Sequence, residues 1–270
     1  MDIIKVLILG LVQGLTEFLP VSSSGHLVLA AEFLKFQENG VAFEVVLHLG
    51  TLFSVLIAFR KDIYQMILAP FRFLSSETRN SEEKKYLRWD LCIIVGTIPA
   101  ALVGLLFKSQ IEELFSSVIL VLVMLTLTGI FLLLSKFAPK QNEELTVGKG
   151  LLIGIAQAFA ILPGISRSGS TIVTGLFLKL DRENAAKFSF LLGVPAILGA
   201  SVLKINDLLT VETHHLPFTY MFFGMLAAFV SGYLAIFWLL SIVKRGKLEW
   251  FAFYCFAVVI ISGLLYFFKI

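Results

Sequence analysis

Long, nearly unbroken runs of apolar residues recur along this chain, separated by short polar or charged stretches. Six of them, about Val41–Phe59, Trp89–Phe107, Val118–Leu134, Ala185–Leu203, Phe218–Val243 and Trp250–Phe268, are long enough to cross a hydrocarbon core as helices, a crossing that takes about 20 residues. Two further regions are apolar but interrupted. The first, Ile4–Leu19, breaks at Pro20-Val21-Ser22-Ser23-Ser24-Gly25 and resumes over His26–Phe36. The second, Leu151–Leu162, breaks at Pro163-Gly164-Ile165-Ser166-Arg167-Ser168-Gly169 and resumes over Ser170–Leu178. Each piece is short for a full crossing, and backbone interrupted at membrane depth persists only where it is buried in protein or lines a wet cavity. The pattern therefore predicts an all-α polytopic membrane protein with six transmembrane helices and two re-entrant helical hairpins, ten membrane helices in all. A β-barrel would instead show segments of about ten residues with alternating polarity.

Composition agrees with that pattern. Apolar residues make up 58% of the chain and charged residues 15%, against about 45–50% and about 25% in soluble domains. Residues 1–270 read as a single membrane domain. Cys92 and Cys255 stand alone inside apolar runs, so they form neither a metal motif nor a disulfide framework and are expected to pack or to face lipid. The apolar stretch behind Lys5 lacks a small-residue cleavage site, and Ser22–His26 falls where one would stand, so the segment is expected to be retained. A net charge of +3 with dispersed basic residues argues against nucleic acid as a partner.

The two broken regions resemble each other. At an offset of 144, Gln13 falls on Gln157, Ser22 on Ser166, Ser24 on Ser168 and Gly25 on Gly169; at 128, Gly96, Ala100 and Gly104 fall on Gly224, Ala228 and Gly232. Each half, 1–135 and 146–270, holds a broken pair followed by three crossings, which predicts an internal repeat. Because three is odd, the halves are expected to be inverted in the membrane. With the N-terminus outside, sixteen of the 22 basic residues fall in inside loops, among them Arg60, Lys61, Arg72, Lys136, Lys149, Arg182, Lys244 and Arg245. Only Lys5, Lys35, Lys108, Lys204 and Lys269 fall outside, and basic residues favour the cytoplasmic side. The charged stretch Ser75–Arg88 is then a solvated inside loop, Trp89, Trp238 and Trp250 are aromatic anchors near that boundary, and Glu212, His214 and His215 lie in an outside loop.

The breaks carry the candidate chemistry. Gln13 and Glu17 are four apart on one helix face, Pro20 ends that helix, and the serines after it can cap the next one. Glu17 stands in an otherwise apolar helix. An ionisable residue at membrane depth is costly unless paired or hydrated, which marks it as functional rather than as a carboxylate that merely wets a loop. Arg167 is the one basic residue that no aqueous loop claims. Small residues around it let backbone N–H groups approach a ligand, and the helix that follows presents its positive end, a combination suited to phosphate. Read as structure alone, Arg167 would snorkel to the cytoplasm or pair with Glu17. His26 opens the second half-helix within reach of the serines, whereas Glu44 and His48, four apart in the next span, read better as a structural polar layer.

Gln13–Glu17, Leu19–His26 and Pro163–Thr171 resemble the (E/Q)xxxE element, the LPVSS(T/S)GH stretch and the PGxSRSxxT signature of the bacterial undecaprenyl-diphosphate phosphatase family, the bacitracin-resistance type, and the likeness runs the whole length of the chain. The resemblance implies hydrolysis of undecaprenyl diphosphate to undecaprenyl phosphate and inorganic phosphate in the bacterial cytoplasmic (inner) membrane, at a site opening to the periplasmic side. That reaction recycles the carrier lipid for peptidoglycan synthesis and gives bacitracin resistance. On this reading Arg167 and N–H groups at both half-helix starts clamp the diphosphate, with Ser22, Ser24, Gly25, Ser166, Ser168, Gly169 and Thr171 around it. Ser23 is the expected nucleophile, because the offset of 144 sets it opposite Arg167; Glu17 or His26 would activate it, and His26 is the alternative nucleophile. A divalent cation, Mg²⁺ first, is expected to bridge Glu17, with Gln13 as a second ligand, to phosphate oxygens. Many members carry Glu where this chain has Gln13, so the chain departs from any scheme that needs two carboxylates there. The expected partners are the polyprenyl diphosphate substrate, membrane lipids and a second copy in a homodimer. The rival reading is a transporter or flippase of a polyprenyl phosphate, because inverted repeats with broken helices meeting at the midplane are a transporter architecture. The Ser, His and Glu set beside the arginine separates the two readings, since a carrier needs the clamp and no nucleophile.

Overall fold

The computed structural model describes residues 3–34, 41–75, 81–140, 142–210 and 217–268, the side chains of 41, 42, 75 and 203–210 excepted. Twelve α-helices run through them: α1 (Ile3–Phe18), α2 (Ser23–Phe33), α3 (Val41–Ala58), α4 (Arg60–Ser75), α5 (Ser81–Leu106), α6 (Lys108–Leu114), α7 (Val118–Leu134), α8 (Val147–Phe159), α9 (Arg167–Phe177), α10 (Arg182–Thr210), α11 (Phe218–Lys244) and α12 (Glu249–Phe268). Five of them, α5, α7, α10, α11 and α12, are long and apolar enough to cross a membrane, and counting the bent pair α3–α4 as one span makes six. Helices α3, α5, α7, α10, α11 and α12 coincide with the six apolar runs of the sequence, and the chain is an all-helical, multi-pass membrane protein. Among the described residues the only strand-like pairing is one isolated bridge, Glu143–Leu180. Glu143 is held below the usual carboxylate range by its hydrogen bonds to Lys149 of α8 and to Lys179, just after α9.

Both interruptions are breaks in the backbone. Pro20 has no N–H with which to continue α1, and Ser22, at φ 69°, turns the chain. The Ser22 Oγ accepts the Gly25 N–H at 3.2 Å and caps α2, which begins three residues before the expected start at His26. At the second break Gly164 adopts φ +97°, where a side chain would be strained. The Ser166 Oγ accepts the Gly169 N–H at 3.0 Å and caps α9. Thr128 of α7 fastens this turn, donating its hydroxyl to the Gly164 carbonyl at 2.9 Å and accepting the Ser166 N–H at 3.0 Å.

Glycine sets the closest helix approaches, as it does where backbones must meet in lipid. A β-carbon on Gly10 of α1 would come within 2.5 Å of the Gly224 carbonyl on α11, and one on Gly154 of α8 would strike Gly96 of α5. At the offsets read from the sequence, Gly10 falls on Gly154 and Gly96 on Gly224, so these two contacts are counterparts of each other. The interior is keyed by aromatic rings from α10: Phe190 meets Phe18 edge-on at 5.6 Å between centroids, and Phe188 meets Trp89 at 5.9 Å.

Three expectations change. The stretch Ser75–Arg88 is not a loop where it is described, because Ser81–Arg88 forms the first two turns of α5. Before it, residues 60–75 form a helix bent 76° from α3. Trp89 is buried against Phe188 rather than anchoring the boundary, whereas Trp238 and Trp250 are exposed. Cys92 and Cys255 are both buried, which makes them packing residues. Ser76, Arg79, Glu212, His214 and His215 lie outside the described residues.

Candidate active site

The two breaks meet. The Ser168 hydroxyl donates to the Leu19 carbonyl at 3.1 Å, and a β-carbon on Gly25 would lie 3.2 Å from the Gly164 Cα. This contact brings side chains about 150 residues apart in the chain into one cluster centred on Glu17, which is 7% exposed. Arg167, the first residue of α9, donates from Nη2 to Glu17 Oε1 at 2.6 Å. Ser23, the first residue of α2, donates its hydroxyl to Glu17 Oε2 at 2.6 Å, and Gln13 Nε2 donates to the same oxygen at 3.0 Å. His48 Nε2 stands 4.0 Å from Oε2, while its Nδ1 donates to the Glu44 carbonyl at 2.8 Å. Arg167 Nη1 also reaches the Ser189 carbonyl at 3.4 Å, and the Ser189 and Thr171 hydroxyls meet at 2.6 Å.

The energetics of this cluster follow from its burial. A buried ion pair is costly to desolvate and is held by charge-assisted hydrogen bonds, and removing one partner leaves the other charge stranded at a cost of about 3–5 kcal/mol. Glu17 and Arg167 therefore depend on each other. Both stand at helix breaks, beside the N-terminal ends of α2 and α9, which favour negative charge.

The expected site residues divide by position. Glu17, Ser23, Arg167 and Gln13 form one hydrogen-bonded chain. Ser22 and Ser166 are caps whose hydroxyls each lie 3.3 Å from a second serine, Ser24 and Ser168 respectively, so the two breaks repeat the same small network. Gly25 and Gly169 supply the capped N–H groups, and Thr171 bonds back to the Arg167 carbonyl at 2.8 Å. His26 faces elsewhere. Its Nδ1 lies 2.8 Å from the Ser22 carbonyl, which only accepts, so in the neutral ring Nδ1 carries the proton and Nε2 accepts from the Tyr254 hydroxyl at 2.9 Å. Of the two activators foreseen for Ser23, the one hydrogen-bonded to it is Glu17. His48, read from the sequence as part of a structural polar layer, instead faces Glu17, and sequence reasoning did not single out Ser189 or Tyr254. His48 and Ser189 sit on separate long helices, and only the fold turns them toward the breaks; the spacing of Glu44 and His48 was the one signal available.

A metal has few protein ligands here. Among the described residues no group of three or more His, Cys, Asp or Glu side chains converges. The donor set nonetheless suits an ion carried by the substrate, because Gln13 Oε1 is buried beside Glu17 without a hydrogen-bond partner. Magnesium commonly takes one or two protein oxygens and fills its shell with phosphate and water.

Fold and site together define a class: a multi-pass membrane protein with a buried Ser–Glu–Arg cluster where two broken helices meet. Residues 6–261 match the model of the family described as bacitracin resistance protein BacA. The chain belongs to that family. It is 46% identical to the undecaprenyl-diphosphatase of Methanobrevibacter smithii, covering 97% of this chain and 96% of the relative. It is 43% identical to the undecaprenyl-diphosphatase of Halothermothrix orenii (98% and 100% covered) and 42% identical to that of Desulforapulum autotrophicum (97% and 98% covered).

Proposed function

We propose that this chain is an undecaprenyl-diphosphate phosphatase, which releases inorganic phosphate and returns undecaprenyl phosphate to peptidoglycan synthesis. Family membership supports the activity, and one observation carries the chemistry: the Ser23 hydroxyl, the Glu17 carboxylate and the Arg167 guanidinium form a continuous hydrogen-bonded chain across the meeting point of the two breaks.

In this reading the diphosphate draws the Arg167 guanidinium onto its oxygens, and the planar fork suits that task better than a point charge. Glu17, relieved of part of its pairing, becomes the base. The Ser23 proton passes to Glu17 as Oγ attacks the terminal phosphorus, and the bond to the bridging oxygen breaks. Undecaprenyl phosphate departs with that bond's electron pair, leaving the phosphoryl group on Ser23. Water then attacks the phosphoserine, and Glu17 returns the proton to Ser23 Oγ as inorganic phosphate leaves with the water's oxygen and hydrogens. Backbone N–H groups at the starts of α2 and α9 neutralise the spreading charge. Mg²⁺ arriving on the diphosphate would be held by Glu17 and Gln13 Oε1 and would add to that neutralisation.

The larger reading is an inverted repeat: ten membrane helices in two halves, 1–135 and 146–270, with α1–α2 and α8–α9 as re-entrant hairpins. The matched caps at Ser22 and Ser166 and the counterpart contacts Gly10–Gly224 and Gly154–Gly96 support it. The asymmetry of basic residues supports a cytoplasmic-membrane orientation with both termini outside, and the family resemblance implies a site opening to the periplasm. The carrier reading has no use for the Ser23–Glu17 bond. Purified protein in detergent, given undecaprenyl diphosphate, is expected to release phosphate; binding or movement of the lipid without release would favour the carrier.

A further inference from the structure

The Arg167 side chain does not rest on Glu17 alone. Its guanidinium lies across α10, and the three atoms nearest to a β-carbon built on Gly193 are all its own: Nη1, Cζ and Nη2, the last at 3.0 Å. A methyl group at 193 would occupy the space the guanidinium fills. One helical turn earlier, the Ser189 carbonyl receives the Nη1 N–H at 3.4 Å, and the Ser189 hydroxyl is bonded to Thr171 of α9 at 2.6 Å. Next to Ser189, Phe190 packs edge-on against Phe18, the neighbour of Glu17 in the chain. The same two turns of α10 thus touch the arginine directly and the helix of its acidic partner through an aromatic contact.

We infer that α10 is the backstop of the phosphate clamp, with Gly193 supplying the space and Ser189 the carbonyl that hold the Arg167 guanidinium in register with Glu17 and Ser23. Gly193 and Ser189 are positioning residues, acting through Arg167. The bare backbone at 193 is what lets a flat, wide guanidinium lie between α9 and α10 while its other edge faces the cluster. A lysine in place of Arg167 carries a compact ammonium with no such flat head to seat. The cost of a side chain at 193 therefore depends on which residue occupies 167, which a merely structural glycine would not show. Gly199, on the same helix, has open space where its β-carbon would be and serves as the matched control.

This inference rests on the phosphatase reading only for its kinetic readout. The test is a double-mutant cycle on detergent-purified full-length chain, with KM, kcat and binding of undecaprenyl diphosphate measured for wild type, Gly193→Ala, Gly199→Ala, Arg167→Lys and the double variant Gly193→Ala/Arg167→Lys. Gly193→Ala is expected to lower kcat/KM and lipid-diphosphate affinity at least tenfold, and Gly199→Ala to stay within twofold of wild type. On the Arg167→Lys background Gly193→Ala is expected to cost less than threefold. An equal loss on both backgrounds, or a Gly193→Ala variant that behaves like Gly199→Ala, overturns the inference. Should Gly193→Ala fail to fold, the double variant must fold, because the clash is with Arg167; a double variant that also fails overturns the inference. If wild type binds the lipid but releases no phosphate, the phosphatase reading falls, and the binding cycle still decides for or against the seat.

Discussion

Glu17 accepts hydrogen bonds from three side chains, and each can be read separately. Arg167→Lys keeps the charge and loses the fork, so a tenfold or greater fall in turnover is expected, about 1.4 kcal/mol or more of transition-state stabilisation. Steady-state phosphate release checks it, and near-wild-type turnover by a folded sample would place the clamp elsewhere. Gln13 donates an amide N–H to Glu17 Oε2 at 3.0 Å, a bond that needs no proton from solution. In Gln13→Glu that contact becomes two carboxylates whose like charges repel at such a distance. Below the upper apparent pKa of the pair, the shared proton restores the bond; above it, repulsion disorders Glu17. The variant is therefore expected to match wild type at low pH and to lose activity as pH rises. Superimposable pH–rate profiles in metal-free buffer would show that Gln13 does not organise Glu17.

At the scale of elements, α4 is the helix that hydropathy misses. Its sixteen residues mix Arg60, Lys61, Asp62 and Arg72 with apolar side chains, so a window averaged along the chain reads a charged loop. The three-dimensional arrangement sorts them. Ile63, Met66 and Ala69 turn inward, and Asp62 is paired with Lys187 of α10 at 3.0 Å. Tyr64, Ile67, Phe71 and Leu74 form an exposed stripe, with Leu74 86% exposed. A helix bent 76° from a spanning helix, with one apolar face and basic residues outward, suits the bilayer interface. Because Cys92 and Cys255 are buried, a nitroxide on Phe71→Cys reports that position selectively. In phosphatidylglycerol-containing bilayers it should be accessible to oxygen and shielded from a water-soluble nickel complex, with Lys84→Cys showing the opposite. Equal exposure to nickel at both sites would put α4 in water. The breaks, by contrast, were legible: Pro20, Gly164 and the serines carry their own turn and cap chemistry, which acts within a few residues. Trp89 was not legible, because nothing in its neighbourhood along the chain announces Phe188 of α10.

At the scale of the whole molecule, offset 144 sets Ser23 opposite Arg167, and both side chains bond one carboxylate. What the offset could not foretell was which neighbour would take the Ser23 proton, since Glu17 and His26 are both close in sequence. The fold separates them by giving His26 to Tyr254 of α12. The inverted arrangement proposed above makes a plain topological prediction. A membrane-impermeant thiol reagent added to intact cells should label Ser109→Cys and spare Lys84→Cys; the reverse pattern would invert the chain. The central claim, that Ser23 takes the phosphoryl group and gives its proton to Glu17 while Arg167 holds the diphosphate, is tested most directly by one measurement on Ser23→Ala: phosphate release and undecaprenyl diphosphate binding in the same purified sample. Turnover should be nearly abolished with binding within a few fold of wild type, whereas Ser22→Ala, losing only a cap worth about 0.5–2 kcal/mol of stability, should keep most of its activity. Substantial turnover by Ser23→Ala, together with an inactive His26→Ala, would contradict the account and make histidine the nucleophile.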